Sequence, residues 1–151
     1  TQLMHTQLKS VKADTTLETL GKMRAAFKKD GLVTAGNASG VNDGASAVVL
    51  ASGDAVKSGN LKPMARLVGY AHTGVEPTLM GIGPVSATRA VLKLIGLKIS
   101  DLDVIDANEA FAAQACAVSK ELDLEPAQVN VNGSGISPAH PVGATGHTIN
   151  T

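Results

Sequence analysis

The spacing of apolar residues between positions 65 and 132 constrains the fold more than any other feature of the sequence. Residues 87–95 place apolar side chains three or four positions apart, which predicts a helix introduced by Gly83 and Pro84 and ended by Gly96. Strands are predicted for the apolar runs 65–70, 102–106 and 129–132, and a second helix is predicted for 109–122. Strands and helices that alternate at this spacing indicate an α/β fold.

The first third of the chain predicts one helix followed by a turn-rich loop. Thr15 and Glu18 have the three-residue spacing of a capping box, and Gly31 marks the end of this helix. Its apolar face is predicted to hold Leu17, Leu20, Met23 and Phe27. Residues 34–46 are small and turn-forming, and the apolar run 47–50 fits either a buried strand or a buried helix.

The polar stretch 52–62 is the predicted domain boundary, and it divides the chain into residues 1–60 and 61–151. The core on either side must be aliphatic, because 44% of the 151 residues are hydrophobic but only Phe27, Phe111 and Tyr70 are aromatic. Sixteen glycines indicate tight turns or close backbone contacts.

Charge and cysteine usage exclude several functional classes. Thirteen basic residues balance thirteen acidic ones without a long block of like charge, so neither nucleic acid nor a membrane surface is an expected partner. No apolar run is long enough to span a bilayer. The single cysteine excludes an internal disulfide and fits a reducing compartment. The histidines show no metal-ligand spacing with it or with one another, so no metal site is predicted.

His140 is the first candidate for chemistry. It follows a glycine-containing loop and precedes Pro141, which suits the first position of a helix. A helix N-terminus disfavours imidazolium, so the ring would stay neutral and could accept a proton or donate one to a carbonyl oxygen. A surface or capping histidine is the alternative, and the residues alone favour it.

Asn108 is the second candidate, because it lies where a predicted strand ends and a helix begins, the usual place for sites in α/β folds. Its amide can position a water or polarise a carbonyl without titrating. The alternative is a helix N-cap, which asparagine fills well and which the spacing alone favours. Glu109 is equally explained by the dipole of the predicted helix.

Two further segments are open to purely structural interpretations. The small residues 37–44 would let a ligand approach, and Ser39 could bond a ligand amide, but no Walker pattern is present and a turn is the simpler interpretation. Cys116 lies in a predicted apolar helix without basic neighbours. We therefore expect a buried core thiol at this position rather than a nucleophile.

Taken in order, several segments closely resemble motifs of the thiolase family. They are VTAGNASG at 33–40, MGIGP at 80–84, NEAFAAQ at 108–114, NVNG at 130–133 and HPVGATG at 140–146. The resemblance extends from about Asp14 to Gly146, and residues 112–118 are most similar to biosynthetic acetoacetyl-CoA thiolases.

This resemblance implies a layered αβαβα fold, of which the chain would form an incomplete portion with a mixed sheet and covering helices. Residues 1–60 would hold the end of the loop region and the last part of the N-terminal half. Residues 61–151 would hold most of the C-terminal half.

The resemblance also implies roles for individual residues. His140 matches the histidine that activates the nucleophilic cysteine and helps to form an oxyanion hole, and Asn108 matches the asparagine that holds the water completing that hole. The expected coenzyme A contacts are Ser39, Ala110 and Phe111 around the pantetheine and Lys12 near the nucleotide. Many members have an arginine at the position of Lys12, so the charge is kept but the forked geometry is lost.

The implied activity is acyl transfer: Claisen condensation of two acetyl-CoA to acetoacetyl-CoA, or the reverse thiolysis, by ping-pong chemistry through an acyl-cysteine. Cys116 matches neither reactive cysteine of the family, so both are expected outside these residues. The coenzyme A thioester is the substrate, and no separate cofactor is implied. Two alternatives remain open: a β-ketoacyl synthase, which would have a second histidine at Asn108, and a non-catalytic acyl-CoA-binding protein.

Family members are dimers or tetramers, so a homo-oligomer in the cytoplasm or the mitochondrion is expected. The sequence also departs from the family near His140. Glycine is usual at Ala139 and common at Ser134, and an apolar residue is typical at Pro138. A Cβ beside His140 could displace its ring, and a shift of about 1 Å can cost roughly a hundredfold in rate. His147 and Thr148 replace a small residue followed by arginine.

Overall fold

The computed structural model describes residues 14–137 and 140–148 of the chain. The α-helices in these ranges are α1 (Leu17–Gly21), α2 (Gly53–Ser58), α3 (Gly83–Ile95), α4 (Ala112–Leu122) and α5 (Thr145–Thr148). Short 3-10 helices occupy Pro77–Ile82, Ile99–Asp101 and Pro126–Gln128. Strand pairing in the described residues is limited to single bridges, at Ala25–Thr34, Ala38–Phe111, Val41–His140 and Ile105–Val129.

Helix α3 forms where the sequence predicts it. Pro84 fits the first turn, where no intrahelical partner for its missing N–H is needed. Gly96 ends the helix with φ at 74°, a left-handed conformation that glycine adopts without a Cβ penalty. The N–H of Leu97 then bonds to the Leu92 carbonyl at 3.0 Å, which closes the last turn.

Helix α4 begins at Ala112, three residues later than predicted. The N–H of Ala112 bonds at 2.9 Å to the carbonyl of Asn37, so a tertiary contact satisfies the first turn of the helix. Phe111 is the N-cap residue and has extended dihedral angles. Residues 107–111 therefore remain non-helical and are free to form the loop that precedes the helix.

The hydrophobic core lies between α3 and α4. It consists of the buried residues Val85, Val118, Leu122 and Leu124, with Ile82, Ile99, Ile105 and Val129 packed against it. Arg89 on α3 donates to the backbone carbonyl of Glu121 on α4 at 2.8 Å and so joins the two helices outside the core. This arrangement confirms the aliphatic core expected from the composition.

The predicted helix over residues 15–27 is largely wrong, because α1 ends at Gly21. Its capping box joins Thr16 and Thr19 instead of Thr15 and Glu18. The chain then turns back, and the N–H of Ala26 bonds to the Val33 carbonyl at 2.8 Å. Phe27, expected on a buried helical face, is 80% exposed.

None of the predicted strands forms an extended ladder in the described residues, and only isolated bridges occur where a partner is available. Ile105 and Val129 pair in a single parallel bridge. Residues 47–50 form neither the strand nor the helix that the sequence allowed, and residues 65–70 form no strand. Residues 65–70 lie beside α3, since a Cβ at Gly69 would approach Ile95 Cγ2 to 2.5 Å. A strand requires a neighbour for its backbone groups, and none of the described residues supplies one there.

Candidate functional site

Loop segments distant in sequence meet around His140. Val41 forms a parallel bridge with His140, and the backbone N–H of His140 donates to the Asn42 side-chain oxygen at 3.2 Å. Close packing continues at Gly44, where a Cβ would lie 2.7 Å from the Pro141 ring. The loop after Ser39 therefore fixes the backbone that carries His140.

The His140 ring has a defined partner on one side. Its Nδ1 lies 2.7 Å from Oγ1 of Thr145, and that hydroxyl donates to the Pro141 carbonyl at 3.0 Å. Thr145 is 5% exposed. Because a hydroxyl has one hydrogen to donate, Thr145 Oγ1 accepts from His140 Nδ1–H. In the neutral ring Nε2 then has the free lone pair.

Asn108 lies on the other side of the ring. Its Nδ2 is 3.4 Å from His140 Nε2, and an amide N–H can donate to that lone pair. The Asn108 side-chain oxygen is buried and has no hydrogen-bond partner within the described ranges. A Cβ on Gly135 would lie 2.6 Å from this oxygen, so the amide rests against the Gly135 backbone.

The backbone on either side of Asn108 is held by two side chains. Ser134 Oγ accepts from the Glu109 N–H at 3.2 Å and donates to the Ala107 carbonyl at 2.9 Å. Asn130 accepts from the Ala107 N–H at 2.8 Å and donates to the Glu109 carboxylate at 3.1 Å. These bonds fix the course of residues 107–109.

Ser39, Ala110 and Phe111 also meet. Both the backbone N–H and the hydroxyl of Ser39 donate to the Ala110 carbonyl, at 2.9 and 3.0 Å. The adjacent Ala38 bridges to Phe111 in antiparallel fashion. The hydroxyl hydrogen of Ser39 is thus engaged within the protein, and its oxygen keeps a lone pair for a donor on a ligand.

A cavity of about 560 Å³ opens beside these residues. Asn108, Ala110 and Phe111 are among its lining residues, together with Met80 and Gln114. The rest of the lining is mostly apolar and comes from the 3-10 helix Pro77–Ile82, α3, the segment 99–107, α4 and Leu124. Asn108, from the first pair of predicted site residues, and Ala110 and Phe111, from the second set, therefore border a common space, and Asn108 also contacts His140.

Several sequence-based expectations are wrong. Pro141 does not begin a helix, because α5 starts at Thr145 and the N–H groups of Ala144 and Thr145 both bond to the Pro141 carbonyl. The expected helix dipole at His140 is therefore absent. Asn108 is not an N-cap, since Phe111 occupies that position. Cys116 is exposed on α4 and is not the expected core thiol.

Some predicted positions lie outside the residues that the structure describes, namely Lys12, Pro138 and Ala139. The side chain of His147 is likewise not described. Sequence reasoning missed Thr145, Asn42 and Asn130. Asn130 and Thr145 lie within motifs that were noted for other residues, whereas nothing near Asn42 indicates its contact with His140, 98 positions away.

Across residues 14–137 and 140–148, no group of three or more His, Cys, Asp and Glu side chains is arranged to hold a metal ion. No helix in these ranges has both the length and the apolar character needed to cross a membrane.

The sequence is similar to those of known proteins. The sequence model of the thiolase C-terminal domain matches residues 61–151, and that of the thiolase N-terminal domain matches residues 3–54. Beta-ketothiolase BktB of Cupriavidus necator is 59% identical over 140 residues, which cover 92% of this chain and 36% of the relative. Acetyl-CoA acetyltransferase of Chromobacterium violaceum is 57% identical over 136 residues, or 90% of this chain and 35% of the relative.

The structure is similar to that of human mitochondrial 3-ketoacyl-CoA thiolase in complex with CoA. The TM-score is 0.91 at 52% sequence identity, over 95% of this chain and 36% of the human chain. A likeness of this extent confirms the fold class predicted from the sequence. The chain spans about 36% of the length of the relatives it matches.

Proposed function

This chain belongs to the thiolase family, and from that premise we propose that the protein is a thiolase-type acyltransferase. It would condense two acetyl-CoA molecules to acetoacetyl-CoA or run the reverse thiolysis. The observation that carries the proposal is the approach of the Asn108 amide to His140 Nε2 at 3.4 Å, with Nδ1 of the same ring held by Thr145.

His140 is proposed as the base that activates a cysteine thiol. With the Nδ1 hydrogen engaged by Thr145, the Nε2 lone pair accepts the thiol proton in place of the long contact from the Asn108 N–H. The thiolate then attacks the thioester carbonyl carbon, and the new Nε2–H donates to the oxygen that gains negative charge. Expulsion of the coenzyme A thiolate leaves an acyl-cysteine.

Asn108 is proposed to complete the oxyanion hole through a water molecule. Its side-chain nitrogen, 3.4 Å from His140 Nε2, can donate a hydrogen bond to a water beside that ring nitrogen, and the water keeps its own hydrogens for the oxyanion. A fixed donor at this position stabilises charge that develops in the transition state without reorganisation.

The nucleophile is proposed to come from the portion of the thiolase fold that this chain does not match. The single cysteine of the sequence, Cys116, is exposed on α4 and occurs in neither family position. A second cysteine of the same fold would deprotonate the next acetyl-CoA, whose carbanion attacks the acyl-cysteine carbonyl. Acetoacetyl-CoA is then released and the nucleophilic thiolate is regenerated.

Ser39, Ala110 and Phe111 are proposed to contact the pantetheine of coenzyme A. The apolar cavity beside Ala110 and Phe111 suits the alkyl segments of pantetheine, and the Ser39 oxygen can accept from one of its amides. Lys12 is proposed to bind near the nucleotide phosphates through its charge. The substrate also follows the relatives, one of which is a human enzyme solved with CoA.

We further propose a homo-oligomer in the cytoplasm or the mitochondrion. The named relatives come from bacteria and from human mitochondria, which supports both compartments. Light scattering on the natural full-length polypeptide, called the intact protein below, tests the oligomer, and cell fractionation tests the compartment.

The test of the proposed function is coenzyme A-dependent thiolysis of acetoacetyl-CoA by the intact protein. His140→Ala should lower kcat by about a hundredfold to ten-thousandfold, the range for loss of a general base. His72→Ala is the matched control, because His72 is exposed and none of the hydrogen bonds of His140 or Asn108 in the described residues involves it. Normal thiolysis by His140→Ala would show the assigned role to be wrong.

The same assay separates the alternatives. Coenzyme A binding without any thiolysis would indicate a non-catalytic acyl-CoA-binding protein. Dependence on an acyl-carrier protein would indicate a β-ketoacyl synthase instead, although such an enzyme is expected to have histidine at position 108, where this chain has asparagine.

A further inference from the structure

Ser134 stands out among the residues around Asn108. It is 2% exposed, although serine is usually a surface residue. The family resemblance sets glycine as common at this position, so its hydroxyl is an addition to the usual backbone. A buried hydroxyl without partners would be costly, but here both of its hydrogen-bonding functions are used.

The two bonds of Ser134 connect the residues on either side of Asn108. The hydroxyl donates to the Ala107 carbonyl at 2.9 Å and accepts from the Glu109 N–H at 3.2 Å. One atom thus fixes both peptide groups between which the Asn108 Cα lies. Rotation of the Asn108 backbone would break one bond or the other.

The next residue acts on the Asn108 side chain itself. A Cβ on Gly135 would lie 2.6 Å from the Asn108 side-chain oxygen and 3.0 Å from the Glu109 carbonyl oxygen. The Asn108 amide is therefore in contact with the Gly135 backbone. The hydrogen bonds of Ser134 fix the distance between that backbone and residues 107–109. The side-chain nitrogen on the far side reaches His140 Nε2 at 3.4 Å.

We propose that Ser134 is a positioning residue that holds Asn108 against His140. This inference rests on the proposed function only for its kinetic consequence, since the contact itself exists without substrate. If the Asn108 backbone could rotate, its side-chain amide would face the His140 ring in several orientations. The oxyanion hole would then be complete for only part of the time. A displacement of about 1 Å can reduce a rate roughly a hundredfold.

The test compares Ser134→Ala with Ser86→Ala in the intact protein. Ser86 is a matched control, because its hydroxyl also makes two hydrogen bonds, to the Gly83 carbonyl and to Thr73, but on α3. Ser134→Ala should lower kcat of thiolysis by roughly tenfold to a hundredfold while KM changes less than about twofold. Ser86→Ala should leave both constants unchanged.

A second readout does not depend on activity. In ¹H–¹⁵N NMR spectra, the Asn108 side-chain amide of the unmutated protein should give one sharp pair of NH2 cross-peaks and a contact with the His140 ring, and Ser134→Ala should lose both. If Ser134→Ala does not fold, Ser134→Gly, which has the common family residue, takes its place in both measurements.

The outcomes are distinguishable. An unmutated protein without thiolysis would overturn the proposed function, and the NMR comparison would still decide on Ser134. A variant with kcat within twofold of the unmutated protein, or with an unchanged Asn108 amide signal and His140 contact, would overturn the positioning role. Equal losses in Ser134→Ala and Ser86→Ala would assign the effect to general destabilisation and would also overturn it.

Discussion

At the scale of single residues, the His140 ring is bounded by Thr145 on Nδ1 and by Asn108 on Nε2. Thr145 lies five positions after His140, in a segment without a periodic apolar pattern, and is itself oriented by the Pro141 carbonyl. The hydroxyl therefore decides which ring nitrogen has the hydrogen, and so which nitrogen can act as a base.

Thr145→Val should lower kcat of the intact protein by about tenfold. The isosteric valine leaves the His140 Nδ1–H without an acceptor, so the ring is no longer held in one tautomer. The unfolding free energy should fall by about 1–3 kcal/mol, the usual cost of an unsatisfied buried donor. Steady-state kinetics and thermal denaturation measure the two effects. Thr145→Ser keeps the hydroxyl and should retain most of the activity; a loss as large as that of valine would contradict this role.

Gly135→Ala should also impair thiolysis, for a steric reason. Its Cβ would lie 2.6 Å from the Asn108 oxygen and 3.0 Å from a backbone carbonyl, so the amide must shift. We expect a loss in kcat of roughly a hundredfold. Gly53→Ala is the control, since nothing lies within 4 Å of its Cβ. Equal activity of the two variants would show that Asn108 is not held by this contact.

At the scale of elements, the sequence predicts α3 well because its boundaries are encoded locally. Pro84 and Gly96 have backbone preferences that act at their own positions. Helix α1 was predicted too long, since the pairing of Ala25 with Thr34 overrides the helical periodicity of Met23 and Phe27. Strands depend on partners that are remote in sequence, which a pattern of apolar residues cannot supply.

For the candidate site, the sequence predicts the residues but not how they come together. The motifs identify His140 and Asn108, but their approach depends on loop geometry that residue spacing does not encode. The start of α4 depends on the Asn37 carbonyl, so the expected N-cap at Asn108 was wrong. Cys116 lies in a helix rich in alanine. Small side chains occur on all faces of this helix, so the sequence does not show which face is buried.

The packing of α4 on α3 should dominate the local stability. Leu122→Ala should lower the unfolding free energy of the intact protein by about 2–5 kcal/mol, because it opens a cavity in the buried cluster around Val85. Lys120→Ala, exposed on the same helix, should change it by less than about 0.5 kcal/mol. Denaturant unfolding measures both, and a Leu122 effect below 1 kcal/mol would contradict the assigned core.

At the scale of the whole molecule, large apolar side chains are exposed in the run 47–50, predicted as a buried strand or helix, and beside the predicted strand 65–70. Val49 is 98% exposed, and Met64, next to the predicted strand 65–70, is 99% exposed. Apolar surface exposed to this extent is typical of interaction sites. The chain spans about 36% of its relatives, and we expect the remaining thiolase fold to cover these segments. The division into residues 1–60 and 61–151 stays a prediction.

Amide hydrogen exchange of residues 65–70 tests this expectation. In the intact protein these amides should exchange at least about a hundredfold more slowly than in a polypeptide of residues 1–151, because neighbouring strands would bond to them. The amides of α3 serve as the internal reference. Equally fast exchange in both samples would mean that no strand pairs with this segment.

The proposed acyl transfer depends on His140 and Asn108 acting together. A double-mutant cycle on kcat/KM for thiolysis by the intact protein, with His140→Ala, Asn108→Ala and both, measures this most directly. We predict that the double variant loses little more activity than His140→Ala alone. Losses that multiply, as for independent sites, would contradict a shared role, and a protein active without both side chains would refute it.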